Sequence, residues 1–168
     1  MVNVRPHDDT RFNVLLTEDR EHANEHWTRQ LPRLLRPQGV HAFIAQTGQE
    51  AVQLIRRCEI HTAVIDLATP MHNEVATTSG PGGLWLLDVL RREPNNLPVV
   101  VVNSRTGSSR EIKRFLNEAL RRGAFSVINR PVQLEVLLGI IARVVDRQYD
   151  GLWPTHSNPN HLPKTAHE

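Results

Sequence analysis

The sequence predicts an α/β fold, a doubly wound five-stranded parallel sheet with helices on both faces, in a single domain. Three observations predict it. Short apolar runs alternate with longer amphipathic segments along most of the chain, the mark of strands joined by crossover helices. The strongest of these runs, LPVVVVN, is β-branched and introduced by Pro98, the composition of a central strand buried on both sides. At 168 residues the chain can bury a real core but is too short for two well-built ones.

The elements follow in order. FNVLLT, Phe12 to Thr17, is the first strand. After EDRE, the residues Ala23, Trp27, Leu31 and Leu34 recur at helical spacing, and Pro32 among them is expected to kink or break that helix. HAFIAQ is the second strand, and GQEAVQLIRRC a helix with Val52 and Ile55 on one face. HTAVIDL is the third strand. The stretch MHNEVATTSGPG over 71–82 is a loop by its glycine, proline and threonine content, and GLWLLDVLRRE is the helix beyond it. LPVVVVN is the fourth strand. SSREIKRFLNEALRRG supplies an amphipathic helix with a serine start and Gly123 as its stop. FSVINRP is the fifth strand, and QLEVLLGIIARVVDRQ a last helix with a broad apolar stripe. Residues 1–11 and 149–168 lack apolar periodicity and are expected to be flexible extensions of a domain spanning 12–148.

Composition excludes several functions. The longest apolar runs fall short of a membrane span, and MVNVRPHDDTRF has no apolar centre of the signal-peptide kind, so a cytoplasmic location is expected. Cys58 is the only cysteine, which excludes an internal disulfide and a cysteine-rich zinc site. The formal net charge of +2 comes from dispersed arginines, a solvated surface rather than a nucleic-acid footprint. Of the nine histidines only His22 and His26 share i, i+4 spacing, and no HExxH core accompanies them. Trp27, Trp85 and Trp153 read as packing residues.

In a doubly wound sheet the site lies at the carboxyl ends of the strands, where strand order reverses. The residues closing the strands are Glu18 and Asp19 after the first, Asp66 at the third, Asn103 and Ser104 at the fourth, and Arg130 with Pro131 at the fifth. With the usual strand order these groups converge. Three carboxylates brought together repel one another unless a cation neutralises them, and a hard divalent ion such as Mg2+ takes oxygen ligands of this kind. Arg130 adds a fixed positive charge facing an anion. Acids, a magnesium ion and a cation together are suited to handling phosphate.

These tokens, in this order, resemble the receiver domain of bacterial two-component response regulators, over about Phe12 to Gln148. The acidic pair after the first strand is matched by TEDR, the phosphoacceptor aspartate with a proline four places on by DLATP, the start of the fourth strand by LP, and the fifth-strand basic residue before proline by NRP, after the family's GA at Gly123 and Ala124. The resemblance implies a flavodoxin-like receiver fold in which Asp66 accepts a phosphoryl group from the phosphohistidine of a histidine kinase or phosphotransfer protein. It implies Asp19 and Asp66 as direct magnesium ligands, Glu18 holding a coordinated water and the Ala68 carbonyl completing the protein's share. It further implies a stand-alone module in a phosphorelay, no classical enzyme, with output to a downstream protein through the fourth helix, fifth strand and fifth helix. No DNA-binding output domain is expected after Gln148, and a homodimer is compatible with the sequence.

The chain departs from the family at several points. Asn103, followed by Ser104, stands where a threonine or serine hydroxyl binds the phosphoryl oxygen, Arg130 where a lysine is usual, and Val127 where an aromatic residue turns inward. The 71–82 loop is long for the family, a lid, a partner contact or a tolerated insertion. These departures favour an alternative reading as a phosphorylation-independent scaffold. A phosphatase with Asp66 as turnover nucleophile is a third reading, weakened because Ala68 occupies the place of the second aspartate that haloacid dehalogenase-type enzymes need. TEDRE in place of a glycine-rich turn speaks against dinucleotide binding.

Overall fold

The computed structural model describes residues 12–18, 27–72, 83–93, 96–103 and 107–149. Five strands, β1 (Phe12–Thr17), β2 (Val40–Ala45), β3 (Thr62–Asp66), β4 (Val99–Asn103) and β5 (Ser126–Asn129), form one parallel sheet in the order β2-β1-β3-β4-β5. They alternate with α1 (Trp27–Leu35), α2 (Gly48–Arg57), α3 (Gly83–Arg92), α4 (Ser109–Arg121) and α5 (Leu134–Gln148). The predicted fold class is the observed one. The expected extensions 1–11 and 150–168, the 73–82 part of the long loop, and Trp153 lie outside the described residues.

The sheet has two apolar faces because its strands alternate with period two. On β3, Ala63 and Ile65 point into one core with Leu86, Leu87 and Leu90 of α3 and Phe115 of α4, while Val64 points into the other with Leu31 of α1 and Ile141 of α5. On β4, Val99 and Val101 join the first core and Val100 and Val102 the second. A run of four valines therefore suits β4, since each face buries two of them. Strand order reverses between β1 and β3: the chain leaves β1 for β2 on one side and returns to place β3 on the other. The carboxyl ends of these two strands thus flank the crevice where such sheets hold their sites.

Three expectations need correction. Pro32 does not break its helix, because α1 runs unbroken from Trp27 to Leu35. The missing N–H and ring clash of an interior proline cost about 3 kcal/mol, and burial of Trp27, Leu31 and Leu35 against the sheet outweighs this. Leu34 lies outside the buried stripe, 49% exposed, since Trp27, Leu31 and Leu35 at intervals of four already line the sheet-facing side. Trp85 is not a core residue either: it is 45% exposed on α3, with its ring beside Gly48.

The serine start of α4 holds, with Ser108 as N-cap: the Ser108 hydroxyl accepts the Glu111 N–H and the Glu111 carboxylate accepts the Ser108 N–H, a reciprocal capping box. Gly123 ends the helix at φ +92°, a conformation that favours glycine. No helix among the described residues is long and apolar enough to cross a membrane.

At the opposite end of the sheet from the acids, His61 joins three elements. Its ring stacks on Phe12 at 5.1 Å and meets Tyr149 edge-on, and its Nδ1 accepts the Asn13 N–H at 2.9 Å. Tyr149 donates its hydroxyl to the His61 carbonyl, so this residue, assigned by sequence to the C-terminal extension, packs on the domain. Burial pushes the His61 pKa below its ordinary value, against the opposing pull of Glu59, whose carboxylate lies 4.0 Å from Nε2. With the folded pKa depressed, the unfolded chain binds the proton more readily. The contribution of His61 is therefore complete above about pH 6.5, the unfolded value, and is lost as pH falls through the window between that value and the lower folded one. Thermal melts from pH 7.5 to 5.5 should show this loss as a melting temperature that falls with pH. His61→Phe should flatten the dependence, and an unchanged slope in that variant would exclude His61 as its source.

Candidate phosphoacceptor site

Asp66 is the last residue of β3 and is fully buried. On its β4 side the sheet continues past it, with the Leu67 N–H donating to the Val102 carbonyl at 3.1 Å. The chain then turns at once. The Asp66 carbonyl accepts the Thr69 N–H at 3.1 Å, and its Oδ1 accepts the Ala68 N–H at 2.9 Å, an Asx turn that aims the carboxylate off the strand end. The next residues are held from α2. The Gly48 and Gln49 N–H groups, which have no partner within their own helix, donate to the carbonyls of Pro70 and Met71 at 2.8 and 3.1 Å. The DLATPM stretch is thereby bonded at nearly every step.

The second carboxylate oxygen, Oδ2, pairs with the guanidinium of Arg130. Arg130 follows β5, two strand spacings or roughly 9–10 Å from β3, a gap that an arginine side chain can span. Its main chain is fixed beside Asn103, whose carbonyl accepts the Arg130 N–H at 3.3 Å. The Asn103 amide, 3% exposed, donates from Nδ2 to Asn129 Oδ1 at 3.1 Å, across the last register pair of β4 and β5. An amide anchored to β5 thus occupies the end of β4. Val127 pairs with Val101 and packs on the edge of the first core.

Glu18 follows β1 directly, and its N–H donates to the Ala45 carbonyl at 3.0 Å. Its carboxylate accepts the Thr28 hydroxyl of α1 at 3.1 Å. Asp19 and Ser104 lie outside the described residues. Of the predicted set, the structure brings Asp66, Ala68 and Arg130 into direct contact and sets Asn103 beside the Arg130 main chain. Among the described residues no group of three His, Cys, Asp or Glu side chains is placed to hold a metal.

Three residues of the site were not singled out in the sequence. Asn129 orients Asn103, while the Thr17 hydroxyl accepts the Asp66 N–H at 2.8 Å and lies 2.8 Å from the Thr69 hydroxyl. The available signal was a hydroxyl residue closing the apolar run of β1, but no local pattern shows that it faces the backbone of β3.

Neither a family model nor a curated protein matches the sequence. Solved structures do match its fold. A two-component response regulator from Clostridium difficile superposes with a TM-score of 0.62 at 16% identity, covering 82% of this chain and 98% of that one. A CheY-like response regulator receiver domain protein from Methanospirillum hungatei JF-1 gives 0.62 at 20% identity, covering 83% and 98%. The non-phosphorylated HemR receiver domain from Leptospira biflexa gives 0.58 at 24% identity, covering 80% and 94%. The chain has the fold of a response regulator receiver domain.

Proposed function

We propose that the chain is a cytoplasmic phosphoacceptor module of a two-component phosphorelay, taking a phosphoryl group on Asp66 from a histidine kinase or phosphotransfer protein. The observation that carries this reading is Asp66 itself: a carboxylate at the end of a central strand of a receiver fold, oriented by the Ala68 N–H and faced by the Arg130 guanidinium. In the transfer an oxygen of Asp66 attacks phosphorus, the bond from phosphorus to the donor's leaving group breaks, and an aspartyl phosphate forms. With a phosphohistidine donor the leaving group is the imidazole nitrogen. Hydrolysis returns the carboxylate and inorganic phosphate. Because Oδ2 is paired and Asp66 is buried, Arg130 must give up that oxygen for the donor to reach it, after which its guanidinium faces the phosphoryl oxygens. Asn103 supplies an amide donor beside them.

The donor chemistry fits a hard divalent ion, since the Glu18 and Asp66 carboxylates and the Ala68 carbonyl all offer oxygen. Asp19, Asp66 and the Ala68 carbonyl would hold Mg2+, with Glu18 on a coordinated water, and the ion would supply positive charge against the carboxylates and the transferring group. Output goes to a protein partner through α4, β5 and α5, where Leu120 and Val136 are exposed.

Incubation with acetyl phosphate and magnesium, followed by intact-mass measurement, tests the proposal. One phosphoryl group is expected on the native chain and none on Asp66→Asn. No adduct on the native chain, or one that persists in the variant, defeats it.

The full burial of Asp66 beneath Arg130, with Asn103 anchored to Asn129, favours one second reading, a scaffold that signals without phosphorylation. In that case acetyl phosphate leaves the chain unmodified, and partner binding is unchanged by Asp66→Asn.

A further inference from the structure

Alternation along β3 sends the N–H groups of Ala63 and Leu67 to β4, where they meet the carbonyls of Pro98 and Val102 at 3.1 Å each. The N–H of Asp66 therefore faces β1. There the ladder has already ended, at the register pair of Leu16 with Val64. A buried N–H left without an acceptor is strongly unfavourable, and the acceptor here is a side chain, the Thr17 hydroxyl at 2.8 Å. The Thr17 oxygen also lies 2.8 Å from that of Thr69, and the Thr69 N–H returns to the Asp66 carbonyl at 3.1 Å. The result is a closed ring of hydrogen bonds, Asp66 to Thr17 to Thr69 and back to Asp66, in which both threonines are buried.

The ring holds the peptide units on both sides of the Asp66 Cα. The same turn carries the Ala68 N–H that orients Oδ1, so its tilt decides where the carboxylate points. We propose that Thr17 and Thr69 are positioning residues for Asp66, a hydroxyl pair that sets the direction of the nucleophile without touching the phosphoryl group; this rests on the phosphoacceptor reading for its effect on rate. Misplacement of a reacting group by about 1 Å can reduce rate by up to roughly 100-fold, which is the kind of error a tilted turn introduces.

The experiment compares Thr17→Val and Thr69→Val, which keep the branched shape and remove the hydroxyl, with Thr17→Ser and Thr69→Ser, which keep the hydroxyl. Two quantities are measured on each folded protein: the rate of phosphoryl incorporation from acetyl phosphate with magnesium, and hydrogen exchange at the Asp66 amide. The valine variants should be phosphorylated about tenfold more slowly, and the serine variants should regain most of the native rate. Exchange at the Asp66 amide should quicken about tenfold in Thr17→Val, while amides at the centre of β4 keep their protection. If Thr17→Val does not fold, Thr69→Val decides the rate comparison and Thr17→Ser the exchange comparison, where native protection is expected. A native chain that takes no phosphoryl group overturns the phosphoacceptor reading, and the exchange measurement then decides the positioning role alone. Native rates in both valine variants, or unchanged Asp66 exchange in Thr17→Val, overturn the inference.

Discussion

Arg130→Met lowers the unfolding free energy by about 3–5 kcal/mol, the usual loss when one member of a buried ion pair is removed. Asp66 is fully buried and Arg130 only 11% exposed at its side chain, so solvent cannot take over the role of the missing guanidinium. The variant leaves a carboxylate in the interior with the Ala68 N–H still on Oδ1 and its main counter-charge gone. Asp66→Leu combined with Arg130→Met removes both charges and should recover most of the loss, because an apolar replacement of a buried pair is often near neutral. Urea denaturation of the two variants and the parent measures this. A stability for Arg130→Met within about 0.5 kcal/mol of the parent, the range of surface substitutions, would mean the pair is not buried in solution.

Gly83→Ala is expected to be at least as damaging. Gly83 opens α3 and lies against the turn after Asp66 so closely that an added Cβ would stand 2.4 Å from the Leu67 Cα and 2.9 Å from its carbonyl carbon and oxygen. Those are main-chain atoms, and Leu67 is itself anchored to Val102, so no flexible side chain can move aside. Overpacking of a tight core ordinarily costs about 1–3 kcal/mol, and a clash with fixed backbone belongs at or above the top of that range. The clash also pushes on the residue next to Asp66. Urea denaturation should give a loss of about 3 kcal/mol or more, and under the proposed phosphoacceptor function the folded fraction should accept a phosphoryl group more slowly than the parent. Parental stability would show that α3 can slide away from the turn. At Gly123 the cause of any loss is different: an added Cβ meets only the Arg91 guanidinium, the far end of a flexible side chain, and the strain comes instead from the left-handed backbone at φ +92°.

The alternation of apolar runs, the capping serine and the glycine stop are local in cause, and so they could be read along the chain. A strand buried on both faces is apolar through its middle, as Ala63 to Ile65 of β3 and Val99 to Val102 of β4 are, with the polar residues at its ends. Asp66 could be found in the same way, as the one charge closing such a run. Leu34 and Trp85 depart from expectation because burial of a helix face depends on which angular sector meets the sheet, which helical spacing alone does not give, and Pro32 fails to break α1 because the packing that holds the helix comes from distant strands. Thr17, Thr69 and Asn129 escaped notice for a related reason: their partners lie 26 to 52 residues away, and only the strand pairing brings them together.

By itself, then, the order of residues determined the layered α/β architecture, the strand-end position of Asp66 and the presence of a basic residue after β5, because these depend on period, burial and turn chemistry within short windows. Tertiary structure alone decided that Arg130 reaches across β4 to close over Asp66, that Asn103 is tied to Asn129, and that the β1–β3 ladder stops one step early so that a threonine hydroxyl must accept the Asp66 N–H. Hydrogen bonds and ion pairs need their partners within about 3 Å. Such distances are set by strand register and side-chain direction, which exist only once the sheet has formed.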